Sequence, residues 1–270
     1  MSKTNGIETD ASLEDRAVHR RREKLLQLLA ENGALKVADL IGLLGVSPAT
    51  VRRDLSELEA VGRLTRKFGG AGPAKSSSLV EQTFQQKREL ARSEKERIAR
   101  LAAGLVQPGM AVVLDSGTTM WRLAAALKDK APLVVLTSSL AVVEELANVN
   151  GIQIRVTGGR FRGENLDFVG PEAVAAFGRF HADMAFLGGD SFIVGSGLYA
   201  SDEASAEVTV AIAGCSAQVV GVVDHTKFAS RACYRVLPCE EFDCVVSDSG
   251  LNEETTALMR AGPFKLLIAD

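Results

Sequence analysis

Between residues 111 and 268, seven short apolar runs alternate with helix-forming segments, and this alternation limits the fold more than any other feature of the chain. The runs are 111–114, 133–136, 152–156, 182–187, 219–223, 244–246 and 264–268, and most are apolar at nearly every position. A strand with one solvated face alternates polar and apolar residues, whereas a continuous run fits a strand covered on both faces. Helical periodicity lies between them, at 93–106, 118–128, 140–147, 171–177, 203–213 and 253–260. Buried strands interleaved with helices predict an α/β domain built on a mostly parallel sheet. No internal repeat is visible.

The N-terminal quarter has a different texture. From Arg20 to Gly62 the pattern is helical throughout, followed by a Gly-rich turn (Gly69, Gly70, Gly72) and a polar stretch from Ala74 to Ser78 that reads as a linker. The expected organisation is a disordered tail over 1–15, a first domain over 16–75, a linker over 76–92 and the α/β domain over 93–270. A chain of 270 residues accommodates two such domains. Residues 1–15 hold no apolar run and do not read as a signal peptide. No stretch approaches the roughly 18 apolar residues of a membrane span, so the expected location is the cytoplasm, with no membrane partner.

Charge divides along the same line. Residues 16–75 carry twelve Lys/Arg against six Asp/Glu, a net +6 in a chain of net charge −3, which leaves −9 on the rest. A basic module on an acidic body fits a nucleic-acid partner for the module alone. The four cysteines (Cys215, Cys233, Cys239, Cys244) form no Cys-x-x-Cys pair, and the three histidines lie far apart. The expectation is therefore reduced thiols, no metal site and no cofactor.

Within the basic module, residues 21–29 form an amphipathic helix with Leu25, Leu28 and Leu29 inward, ending at Asn32-Gly33. A second helix over 37–44 places Val37, Leu40, Ile41 and Leu44 inward, and Gly45 supplies a left-handed turn. The third opens at Ser47-Pro48, a side-chain cap followed by a proline at the first helical position. Val51, Leu55 and Leu58 recur at core spacing, which leaves Thr50, Arg52, Arg53 and Ser56 outward near the helix start. The segment 37–56 thus reads as a helix-turn-helix whose second helix enters the major groove. Ser47, Thr50, Arg52, Arg53 and Ser56 are its candidate DNA contacts, Arg being able to bond guanine through two donors. Arg63, Arg66 and Lys67 lie on a following β-wing suited to the phosphate backbone.

The run from Val37 through Leu44-Gly45-Val46-Ser47-Pro48-Ala49-Thr50-Val51-Arg52-Arg53-Asp54-Leu55, with Gly62 and Arg66-Lys67-Phe68-Gly69-Gly70-Ala71, resembles the DeoR family of bacterial repressors. The serine, the threonine, the Arg-Arg-Asp-Leu run and the Gly-Gly-Ala after the wing carry that resemblance.

In the α/β domain, Leu114-Asp115-Ser116-Gly117-Thr118-Thr119 ends a strand and starts a helix. Hydroxyls, a glycine and free helix N-terminal N–H groups in one loop suit a phosphate. Further polar loops follow other strands: Thr137-Ser138-Ser139, Thr157-Gly158-Gly159, Gly188-Gly189-Asp190 and Asp224-His225-Thr226-Lys227. In a parallel sheet these open at the carboxyl edge, where ligands of α/β folds bind. The candidate effector residues are Asp115, Ser116, Gly117, Thr118, Thr119, Thr137, Ser138, Gly158, Gly159, Asp224 and Lys227. Lys227 is a point charge for a phosphate, and Asp115 and Asp224 are acceptors for sugar hydroxyls.

The same resemblance extends to the C-terminus through Asp115-Ser116-Gly117-Thr118-Thr119, Thr157-Gly158-Gly159 and Asp224-His225-Thr226-Lys227-Phe228. It implies an effector domain similar in fold to ribose-5-phosphate isomerase, sensing a phosphorylated sugar or related metabolite. It also implies phosphate contacts from Ser116, Gly117, Thr118, Thr119 and Lys227. The chain departs from the family pattern at Ser138, where the family often has Asn, and at Thr226, where Ser is usual. It departs again at Thr209, where the family often has Lys, which removes one positive charge near the expected site.

The expected function is a regulator, most simply a repressor of a carbohydrate or polyol operon, that binds double-stranded operator DNA and a phosphorylated effector as a homo-oligomer. Two other readings remain. One is a sugar-phosphate isomerase-like enzyme with Asp115, Asp202, Glu203 or Asp224 as general base. The other is a DNA-binding protein whose α/β domain serves only to oligomerise.

Overall fold

A computed structural model describes residues 10–60, 64–67, 69–73 and 83–270, which fall into two compact units, 1–77 and 78–270. In the first unit the elements are α1 (Asp10–Asn32), β1 (Leu35–Lys36), α2 (Val37–Leu44), α3 (Pro48–Ala60), β2 (Leu64–Lys67) and β3 (Gly70–Pro73). The three strands form an antiparallel sheet in the order β1-β3-β2, which is the wing. Helix α1 begins at Asp10, so part of the stretch expected to be disordered continues the amphipathic helix toward the N-terminus.

Leu25, Leu29, Leu40, Val51, Leu55, Leu58, Leu64 and Ala71 form the core of this unit. Val37, Ile41 and Leu44, expected fully inside, are only partly buried against it, because a helix of eight residues has one ridge to bury and Leu40 occupies its centre. Gly45 adopts φ 65° and its N–H bonds Ile41 O at 2.9 Å, ending α2 in the left-handed conformation that glycine reaches without strain.

The second unit contains α4 (Phe84–Glu89), α5 (Arg92–Ala103), β4 (Ala111–Leu114), α6 (Thr118–Ala126), β5 (Leu133–Thr137), α7 (Leu140–Leu146), β6 (Ile152–Val156), β7 (Arg160–Arg162), β8 (Asp167–Val169) and α8 (Pro171–Phe177). It continues with β9 (Met184–Leu187), β10 (Ser191–Ile193), β11 (Gly197–Ala200), α9 (Glu203–Gly214), β12 (Val219–Val222), β13 (Tyr234–Leu237), β14 (Cys244–Asp248), α10 (Glu253–Arg260) and β15 (Lys265–Ala269). The seven apolar runs are the seven strands of one sheet, ordered β15-β14-β12-β9-β4-β5-β6, with every neighbouring pair parallel.

Each face of the sheet has its own core. Val112 and Leu114 pack with Ile98 of α5 and Met120 of α6, while Val113 between them packs with Phe177 of α8 and Ile212 of α9. This residue-by-residue alternation explains why the central strands are almost unbroken apolar runs, since both of their faces are covered, whereas edge strand β6 is partly exposed and carries Gln153 and Arg155. From β4 the chain builds outward through β5 and β6, and from β9 it builds the other way through β12, β14 and β15. The topological switch therefore lies between β4 and β9, and the loops leaving their carboxyl ends diverge to leave a crevice.

Three features were not expected. Residues 83–89, within the stretch read as linker, form capped helix α4, in which Thr83 Oγ1 accepts from Gln86 N (3.3 Å) and Gln86 Oε1 accepts from Thr83 N (2.9 Å). A small antiparallel sheet β10-β11-β13 and a hairpin β7-β8 flank the main sheet. Among the described residues no helix is long and apolar enough to cross a membrane, and no cluster of three His, Cys, Asp or Glu side chains is placed to hold a metal ion.

Candidate functional site

The outward face of α3 is the first candidate. Ser47 Oγ accepts from Thr50 N at 3.1 Å and lies 2.8 Å from Thr50 Oγ1, so Ser47 caps the helix and its hydroxyl is paired with that of Thr50. Arg52, Arg53 and Ser56 are exposed along the next two turns. Arg53 holds Glu57 at 3.0 Å through its Nε. From the wing, the Arg66 guanidinium reaches Ser56 Oγ at 3.4 Å, which brings β2 alongside the exposed face of α3. Arg63 and the Lys67 side chain lie outside the described residues.

The last residue of the Arg-Arg-Asp run points the other way. Asp54 is 1% exposed and accepts from Arg21 Nε (2.6 Å), Arg21 Nη2 (3.1 Å) and Arg22 Nε (2.9 Å), while Arg22 also pairs with Glu57. Burial would raise the Asp54 pKa, but the two guanidiniums outweigh it and hold the carboxylate below its ordinary range. Asp54 thus bolts α3 onto α1 and fixes the angle at which Arg52 and Arg53 are presented. The sequence reading missed this role. Its signal was an acidic residue at an inward helical position with an Arg-Arg pair two helices earlier.

The second candidate is a cleft at the switch point. Its floor is the loop after β4, Asp115 to Thr119, which leads into α6. Gly117 takes φ 104°, a conformation strained for any side chain, and leaves the start of α6 open to the cleft. The loop after β9 adds Gly188, Gly189 and Asp190, and the loop after β12 adds Asp224 and Lys227. Helix α9 contributes Ser205 and Thr209, the hairpin turn contributes Asn165, and Phe84, Lys87 and Lys95 come from the start of the unit.

Thr137, Ser138, Gly158 and Gly159 do not line this cleft. They follow β5 and β6, on the far side of the switch, and the hairpin β7-β8 closes over them: Phe168 N bonds Ser138 O at 2.8 Å, and Thr157 N bonds Thr137 O at 3.2 Å. Thr137 and Ser138 are 0% and 1% exposed, and Thr137 Oγ1 is engaged within the loop, accepting from Ser139 N at 3.0 Å. A shared carboxyl edge was too coarse a criterion, because among these loops only those after β4, β9 and β12 open into the crevice.

Charge in the cleft is mixed. Asp115 is buried and accepts from Ser116 N (2.7 Å), Gly188 N (3.2 Å) and Thr209 Oγ1 (3.2 Å), tying the β4 loop, the β9 loop and α9 together. Its burial still pushes its pKa up to about 7. Asp224 uses Oδ1 for Thr226 N (3.0 Å) and the Thr226 hydroxyl, but its buried Oδ2 has no protein partner. Of the two carboxylates expected to receive hydroxyls, Asp224 is the one with an open acceptor.

Three ammonium groups line the cleft: Lys87, Lys95 and Lys227. Lys95 is 3% exposed, and burial brings its pKa down to about 8, with Asp224 partly opposing. Asp190 is 2.9 Å from Lys87 Nζ; its burial is overcome by Lys87 and Lys227, which hold its pKa at about 2. Lys87 and Lys95 were absent from the sequence reading because they precede the first strand of the sheet. They supply cationic charge in a cleft where Thr209 is neutral.

Comparison with known proteins matches the chain to two family models. Residues 21–77 match the DeoR-like helix-turn-helix domain, and residues 90–249 match the DeoR C terminal sensor domain. The putative aga operon transcriptional repressor of Escherichia coli O157:H7 is 31% identical, over 97% of this chain and 99% of its own length. Transcriptional repressor AccR of Agrobacterium fabrum is 34% identical over 91% and 94%. HTH-type transcriptional regulator GlpR of Haloferax volcanii is 32% identical over 87% and 91%. Among solved structures, ribose 5-phosphate isomerase A from Methanocaldococcus jannaschii is similar with a TM-score of 0.39 at 16% identity, over 51% of this chain and 55% of that one.

Proposed function

The chain belongs to the DeoR family of DNA-binding transcriptional regulators, and from that premise we propose that it is a repressor whose operator affinity is set by a phosphorylated sugar or polyol held in the switch-point cleft. The observation that carries the effector reading is one cleft combining an open helix N-terminus, three lysines and one unpartnered carboxylate oxygen. A phosphate wants the first two, through N–H donors and positive charge. A hydroxylated carbon chain wants the third.

DNA is read by α3, with Arg52 and Arg53 on base edges and Arg66 on the backbone. In this reading the effector prefers the conformation that does not bind operator, so its binding releases DNA. Its differential affinity for the two states is the whole source of the switch, typically 1–3 kcal/mol in such systems. The protein acts as a homo-oligomer on paired half-sites, works in the cytoplasm and catalyses no reaction.

A thermal-shift panel of pentose, hexose and polyol phosphates on the full-length protein tests the ligand class. One or a few phosphorylated compounds stabilise the second unit, while their dephosphorylated forms do not. If no phosphorylated compound stabilises it, the α/β unit is an oligomerisation module. Turnover of one of them would restore the isomerase reading.

A further inference from the structure

Helix α4 is built into the cleft by the same residues that would meet an anion there. Its Lys87 side chain pairs with Asp190 at 2.9 Å, across the cleft on the β9 loop. Its backbone is held from the opposite side, where Lys95 Nζ donates to Lys87 O (2.9 Å) and Leu90 O (2.7 Å). Thr118, at the start of α6, is within 3.5 Å of the same Lys87 carbonyl. Phe84 N bonds Glu164 O at 2.6 Å, which ties the head of α4 to the hairpin turn carrying Asn165.

A second anchor runs along α6. Phe84 meets Trp121 edge-on at 6.1 Å, the Arg88 guanidinium lies 4.7 Å from the Trp121 ring, and Arg122 donates to Arg88 O at 3.1 Å. Trp121 is the chain's one tryptophan and stands one turn beyond the Gly117 loop.

We propose that Lys87 is an effector ligand in exchange, giving up Asp190 for the bound anion, so that occupancy of the cleft is registered as a change in helix α4. This rests on the reading that the cleft binds a phosphorylated effector. The argument is one of charge. A phosphate at the open end of α6 lies among Lys87, Lys95 and Lys227, and Asp190 competes with it for the first of them. A dianion that also receives N–H donors attracts Lys87 more strongly than one carboxylate does. Lys95 couples the same event to the backbone, because its ammonium holds the α4 carbonyls while lining the cleft. Its lowered pKa is consistent with a cation that gains from an anion beside it. Helix α4 is also the first described element after the wing, so by chain continuity it adjoins the segment leading from the DNA-binding unit.

Inorganic phosphate is the probe, on the full-length protein, with affinity read from Trp121 fluorescence and the state of α4 from hydrogen exchange of its amides. The exchange model predicts opposite signs for the two halves of the pair. Lys87→Gln weakens phosphate binding five-fold or more, Asp190→Asn strengthens it five-fold or more, and Lys87→Arg stays near wild type. Phosphate alters α4 exchange in the wild type and in Lys87→Arg but not in Lys87→Gln. Core exchange in the α/β unit verifies that each variant is folded. If Lys87→Gln and Asp190→Asn shift affinity in the same direction, or phosphate binds without altering α4, the exchange is refuted and the cleft remains an effector site. If the wild type binds no phosphate at all, both the exchange and the effector reading fall.

Discussion

Substituting Asp54 by alanine separates folding from readout within three consecutive residues. The Asp54 carboxylate takes three charge-assisted hydrogen bonds from guanidiniums whose side chains are only 23% and 25% exposed. Removing one partner from a fully buried ion pair costs about 3–5 kcal/mol, chiefly because the remaining charge is stranded. Here Arg21 and Arg22 reach water in part and Arg22 keeps Glu57, so the expected loss is about 2–3 kcal/mol. Hydrogen exchange on the full-length protein reads this directly at Leu40, Val51 and Leu55. If their amides exchange through opening of the whole unit, the rates rise about 30- to 150-fold, since every 1.4 kcal/mol is a factor of ten. The α/β unit is unaffected. Arg52→Ala, two residues away in sequence but on the opposite, exposed face of α3, leaves these rates unchanged. An acceleration of less than about two-fold in Asp54→Ala would place the Asp54 cluster among surface ion pairs of little consequence and refute the bolt.

Other perturbations follow from the same geometry. Arg52→Ala or Arg53→Ala costs about 1–3 kcal/mol of operator affinity in a binding titration, and no change in either sinks the recognition-helix assignment. Arg66→Ala weakens all sequences alike and reduces the salt slope by about one, as loss of a phosphate contact does. Lys227→Ala or Thr118→Ala retains operator binding but loses the response to effector. Effector affinity falls above pH 8: Lys95, with a free-state pKa of about 8, must be protonated to face the anion, while a phosphate ester is already close to its dianion there. The sign is that of proton uptake on binding, and the fall approaches tenfold per pH unit. Deprotonation of Asp115 near pH 7 adds repulsion in the same direction. Calorimetry in two buffers of different ionisation enthalpy measures the uptake, and a flat affinity from pH 7 to 9 contradicts it.

The main sheet was legible because burial on both faces leaves its central strands almost free of polar residues, and a run such as Val219-Val220-Gly221-Val222 has few other places to go. Helix α3 was legible from its cap and its inward Val51, Leu55 and Leu58. The small strands were not, since three residues such as Arg160–Arg162 carry no periodicity. Helix α4 was hidden by its composition: a six-residue helix rich in Gln, Lys and Arg resembles a linker until Thr83 and Gln86 are seen to cap each other. The cleft was half legible. Asp115 to Thr119, Asp224 and Lys227 announce themselves by following strands, but strand order cannot be read from a single chain. Without it Gly158 and Gly159 look equivalent to Gly188 and Gly189, although the switch between β4 and β9 separates them. Lys87 and Lys95 reach the cleft only through packing of α4 and α5.

Operator affinity measured with and without the stabilising sugar phosphate, in wild type and in Lys227→Ala, tests the central claim most directly. The account predicts DNA binding of similar strength in both proteins, with the compound weakening it five-fold or more in the wild type and leaving Lys227→Ala unmoved. Equal weakening in both proteins, or a compound that binds the α/β unit with no change in operator affinity, would contradict it.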